Sequence, residues 1–132
     1  MSAFADADSL HARVSVGNGD ALIKGSADQD WSYATSNTLV MPGDTVWVDK
    51  QGVLEIELPG ASFLRLADQS KADVVALQPD IALRGWIGAY FIQRMSRSTG
   101  AFAFATPACT VEATKDSGVR IDVLKDGSSA VS

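Results

Sequence analysis

Glu55 and Glu57 stand two residues apart within Val53–Leu58. On an extended strand they share a face with Cβ atoms ~7 Å apart, a separation of the order that paired acids use in glycoside hydrolysis. Leu54, Ile56 and Leu58 occupy the opposite face, though, and Glu alternating with Leu and Ile is the pattern of a half-exposed strand. The pair therefore reads as strand surface. His11 is the sole imidazole, and with no G-x-S-x-G elbow it does not suggest a Ser-His-Asp hydrolase. Cys109, between Pro107-Ala108 and Thr110-Val111, lacks the His or cationic setting that makes a thiolate and reads as a small buried thiol. Asp68, Asp73, Asp116 and Asp126 lack EF-hand spacing, and no phosphate loop or dinucleotide fingerprint occurs. The expectation is a non-enzymatic protein without cofactor or metal.

The segment Arg84–Ile92 carries different chemistry, that of recognition. As one continuous strand it puts Trp86, Tyr90 and Ile92 on one face and Ile87, Ala89 and Phe91 on the other. A strand apolar on both faces is either sandwiched in a core or covered by a partner. In the second case Arg94 and Arg97 border an aromatic surface, and aromatic residues with Arg are the usual composition of interface anchors. The candidate partner-binding residues are Trp86 and Tyr90, then Trp31 and Tyr33, with Arg94 beside them.

These residues must be positioned by strands. Leu64 and Leu66 alternate with Phe63 and Arg65, Phe102 and Phe104 with Ala101, Ala103 and Ala105, and Val119, Ile121 and Val123 with Arg120 and Asp122. Turn signals separate the segments: Gly17-Asn18-Gly19-Asp20 as a hairpin turn, Met41-Pro42-Gly43-Asp44 as a type II turn, then Pro59-Gly60, Gln78-Pro79-Asp80 and Lys125-Asp126-Gly127. Ser70–Leu77 could make one short apolar helical face, but its brevity and Val-Val pair favour a strand or a single turn. Asp44 is placed to accept local amide hydrogen bonds, Trp47 reads as a core anchor, and Thr106-Pro107 ends a strand, because Pro cannot donate to a ladder. The fold expected from these residues is all-β, as a sandwich or a coiled β architecture, with little or no helix.

Composition bounds the rest. The 132 residues suit one domain, with residues 1–11 a lead-in and 12–132 a single all-β unit. Sixteen Asp+Glu against eleven Lys+Arg give a net charge of −5, which argues against nucleic acid or anionic lipid as partner. No apolar run reaches the ~20 residues of a membrane helix. Ala3-Phe4-Ala5 has the form of a signal-peptidase site, but neither a basic nor an apolar region precedes it. The final Gly127–Ser132 reads as a turn into a short strand, or as one cut from a longer protein.

Three stretches together resemble the FecR-like domain of bacterial cell-envelope proteins. The first is Ala34-Thr35-Ser36-Asn37-Thr38-Leu39 followed by the Pro42-Gly43-Asp44 turn and a strand bearing Trp47. The second is Val53–Leu58 with Phe63-Leu64-Arg65-Leu66, and the third Phe102-Ala103-Phe104-Ala105-Thr106-Pro107-Ala108-Cys109-Thr110-Val111. Gly118–Val123 before Asp126-Gly127 continues the order, so the likeness spans about residues 13–131. Pro59-Gly60-Ala61, Cys109 and Lys115-Asp116-Ser117 depart from the family pattern. The resemblance implies two facing, partly solenoid-like sheets, a periplasmic or otherwise exported location, and a module that binds another macromolecule, with Pro42, Gly43, Asp44, Trp47, Leu64, Leu66, Thr106 and Pro107 as structural signature residues. A protein partner is the first expectation. A glycan-binding module and a self-assembling β domain are the alternatives.

Overall fold

A computed structural model describes residues 12–18 and 20–132. The lead-in and His11 lie outside the described residues. Alternation of apolar and polar residues yields thirteen strands and no helix among them: β1 (Ala12–Asn18), β2 (Ala21–Lys24), β3 (Ser32–Tyr33), β4 (Leu39–Val40), β5 (Thr45–Val48), β6 (Val53–Leu58), β7 (Ser62–Leu66), β8 (Ser70–Ala76), β9 (Ile81–Arg94), β10 (Phe102–Ala105), β11 (Thr110–Glu112), β12 (Ser117–Val123) and β13 (Ser129–Val131). The expected all-β class is thus what the chain forms, as one strongly curled sheet.

The sheet has two wings joined by β9. In the first wing the order is β4-β1-β6-β7-β9-β12-β13, using Gly88–Arg94 of β9. The second runs β3-β2-β5-β8-β9-β10-β11, using Ile81–Ile87 of β9. Every pairing is antiparallel except β9 with β10. Both wings turn their apolar faces into one core cluster. Leu54, Ile56, Leu64, Leu66, Ile92 and Ile121 come from the first wing, and Val46, Val48, Val74, Leu83, Phe102 and Phe104 from the second. Leu64 and Leu66 are therefore core residues, as their alternation implies.

Two local expectations change. The hairpin expected at Gly17-Asn18-Gly19-Asp20 includes Gly19, which lies outside the described residues, but the strands on either side do not pair: β1 pairs with β4 and β6, and β2 with β3 and β5, in different wings. Each strand finds a longer or better-bonded partner elsewhere, β1 along β6 with a Ser15 Oγ to Glu55 Oε1 hydrogen bond of 2.9 Å. Cys109 is exposed, not buried. It closes the loop after β10, where the Ala108 and Cys109 amides donate to Thr106 Oγ1 at 3.2 and 3.0 Å and the thiol lies 3.6 Å from the same oxygen, so Thr106-Pro107 ends the strand. The Pro42-Gly43 turn forms with Gly43 at φ +95°, and the Met41 amide donates to Asp44 Oδ2 at 2.8 Å. Partial burial raises the Asp44 carboxyl above its ordinary range, against the lowering effect of that amide.

Candidate aromatic face of the second wing

The placement of the candidate residues turns on the middle of β9. In its first half Ile81, Leu83 and Gly85 point into the core, and in its second half Tyr90, Ile92 and Arg94 do. The inward parity changes from odd to even between Gly85 and Tyr90. A bulge does this: Lys71 pairs with Ile87 but Ala72 with Gly85, which leaves Trp86 as the extra residue. Gly88 follows at φ +118°, and a Cβ there would meet Ser70 Oγ at 2.1 Å and its Cα at 2.5 Å. Only glycine lets the strand turn from one wing into the other at this point.

Tyr90 locks the bulge from inside. It is 1% exposed, its ring 4.8 Å from that of Phe104, and the two rings occupy space that a Cβ on Gly85 would invade, at 2.9 and 2.5 Å. The Tyr90 hydroxyl accepts the Ile87 amide at 3.2 Å and lies within donating distance of the Lys71 and Ile87 carbonyls. These are backbone groups at the edge of the bulge, where Lys71 and Ile87 pair. Burial pushes the phenol up to about 12.

Trp86 and Tyr90 consequently lie on opposite faces, against the expectation of a shared one. Tyr90 is a core residue that shapes the bend. Arg94, 2% exposed, is also internal: it donates to Ser62 Oγ (3.2 Å) and to the carbonyls of Ala113 (2.9 Å) and Thr99 (3.1 Å), with its guanidinium 5.6 Å from the Phe102 ring. No carboxylate among the described residues pairs with this buried cation, which carbonyl dipoles and an aromatic face hold. It staples β7 to the segment around Thr99 and to the end of β11, and it does not border an exposed surface.

Of the remaining candidates, Trp86 and Tyr33 share a face but stand on strands four places apart in the sheet. Trp86 is 42% exposed on the outer face of the second wing, and Tyr33, 69% exposed, is on the same face. Trp31, also exposed, immediately precedes β3. Register aligns Tyr33 with Leu22, Leu22 with Trp47, Trp47 with Lys71, and Lys71 with Ile87 beside Trp86. Trp47 is thus half-exposed on this outer face rather than a core anchor, because Val46 and Val48 take the inward positions. That placement was legible from the β-branched residues flanking it.

Trp86 is held in place by its neighbours. Its Nε1 donates to Asp73 Oδ2 at 2.9 Å, Thr45 Oγ1 donates to Asp73 Oδ1 at 2.7 Å, and the Arg84 guanidinium lies 5.5 Å from the indole centroid. Asp73 is therefore engaged at both oxygens. On the first wing the corresponding outer face aligns Glu55, Arg65, Phe91 and Arg120 across four strands. Glu55 there is ion-paired with Arg65 at 2.8 Å; burial would raise its carboxyl, but the hydrogen bonds from Arg65 and Ser15 outweigh that and hold it low. Among the described residues no three or more His, Cys, Asp or Glu gather to hold a metal ion. No family model, no curated protein and no solved structure matches the chain.

Proposed function

We propose that this chain is a non-catalytic binding module of the bacterial envelope, resembling the FecR-like domain with its two wings as facing sheets, and that it binds another macromolecule through the outer face of the second wing. The observation that carries this reading is the alignment of Tyr33, Trp47 and Trp86 on one sheet face, with Trp86 oriented by Asp73 and Arg84. Large aromatic side chains left partly in water represent unclaimed hydrophobic area, and fixing one by a hydrogen bond lowers the entropy lost on binding. Ion pairing of Glu55 leaves it low and engaged, unlike a carboxylic acid kept protonated for catalysis. The ordered family resemblance supports the envelope setting.

The test is affinity capture from an envelope fraction, with protein and polysaccharide both assayed in the eluate. Wild type is compared with Tyr33→Ala and Trp86→Ala, their folding checked by far-UV circular dichroism. Specific material lost with the folded variants supports the reading. Capture unchanged in both variants overturns it.

A further inference from the structure

We infer that the macromolecule is an extended β-1,4-linked polysaccharide lying across the strands of the second wing. This inference rests on the reading of that face as the binding surface. Tyr33, Trp47 and Trp86 occur on β3, β5 and β9, that is on every second strand of the order β3-β2-β5-β8-β9. Two strand spacings place successive aromatics ~10 Å apart. An extended β-1,4 chain turns the same ring face toward a surface at every second sugar, so its disaccharide repeat meets the aromatics in phase. The apolar C–H face of a sugar ring stacks on an aromatic ring, and the equatorial hydroxyls project sideways, where they need hydrogen-bond partners.

The intervening side chains supply those partners. Lys71 pairs with Trp47 on one side and with Ile87, next to Trp86, on the other, and Arg84 lies beside the indole. Asp73 is already bonded to Trp86 and Thr45, so the cations on this face are not consumed by it, although the chain as a whole carries −5. A protein partner asks for something else: clustered anchors in a packed, fully desolvated patch. Here the aromatics run in single file, separated by Leu22 and Lys71.

The experiment is isothermal titration of the full chain with cello- and chito-oligosaccharides of two to eight sugars, followed in parallel by Trp fluorescence. Maltohexaose, whose α-1,4 links curve the chain, is the control. The row spans four strand spacings, ~19 Å, so affinity should climb with length and level off near six sugars. Tyr33→Ala and Trp47→Ala should each weaken hexasaccharide binding about tenfold, equivalent to ~1.4 kcal/mol. Tyr33→Ala keeps the test valid if a Trp variant folds poorly, since it alters only an exposed edge strand. Equal binding of maltohexaose, or hexasaccharide binding unchanged in folded Tyr33→Ala, overturns the inference. Absence of any oligosaccharide binding, together with a protein captured by wild type and lost in Tyr33→Ala, overturns the glycan and leaves the face as the binding surface. If neither glycan nor protein depends on Tyr33 or Trp86, both the inference and the reading beneath it fall.

Discussion

Replacing Tyr90 by Phe tests whether one hydroxyl holds the bend of β9. The ring packing against Phe104 is retained, and only the hydroxyl is lost. What remains is a half-buried Ile87 amide, previously paired at 3.2 Å, and the Lys71 and Ile87 carbonyls that shared the phenolic proton. Leaving a buried donor or acceptor unpaired costs about 1–3 kcal/mol, and one donor with one carbonyl gives an expected loss of about 2–3 kcal/mol at pH 7. The alkaline behaviour supplies an independent check. The phenol ionises near 10 in the unfolded chain and near 12 when folded, so deprotonation favours the unfolded state. The contribution is fully present below pH 10 and is lost as pH rises through about 12, at ~1.4 kcal/mol per unit. The gap between wild type and Tyr90→Phe should therefore narrow across that window. Urea unfolding monitored by far-UV circular dichroism at pH 7, 9, 10 and 11 measures both effects. A variant within about 0.5 kcal/mol of wild type at pH 7 would refute the claim that Tyr90 clamps the bulge, and a gap that does not narrow with pH would refute the burial of its hydroxyl.

Other substitutions address the staple and the backbone. Arg94→Met keeps much of the side-chain volume but removes donors to Ser62, Thr99 and Ala113, and should cost about 3 kcal/mol by urea denaturation; a neutral result would mean that water replaces the guanidinium. Ala61 sits at φ +57° in the turn between β6 and β7. Ala61→Gly should therefore raise stability by about 0.5 kcal/mol, relief of left-handed strain exceeding the added entropy of the unfolded chain. A lower unfolding midpoint for Ala61→Gly would contradict that.

Much of the fold can be read directly from residue alternation. Leu54, Ile56 and Leu58 against Glu55 and Glu57, or Phe102 and Phe104 against alanines, specify strands and also which side of each faces the core, because successive side chains on a strand point in opposite directions. The Pro42-Gly43-Asp44 turn is legible for the same local reason: its dihedrals and its Asp44 cap involve only neighbouring residues. Pairing partners are another matter. Ala12–Asn18 and Ala21–Lys24 look like the arms of a hairpin, yet they belong to different wings, since ladder energy depends on which distant strand offers matching length and side chains.

The candidate site shows the division most clearly. Its residue types, the aromatics and the flanking Arg and Lys, are written in the chain, and so is a warning in Gly85 and Gly88 within a strand-like run. Period-two parity carries across a strand only while no residue is added to it, and the extra residue at Trp86 reverses every assignment downstream. Whether that bulge forms depends on Ser70 against Gly88, on the Lys71 carbonyl, and on Phe104 beneath Gly85, all remote in sequence. Alternation alone thus determines an all-β chain with most of its inward faces. Tertiary contacts decide that Tyr90 and Arg94 are internal while Trp86 joins Trp47 and Tyr33 outside, because a bulge exists only where distant groups satisfy the backbone it leaves unpaired.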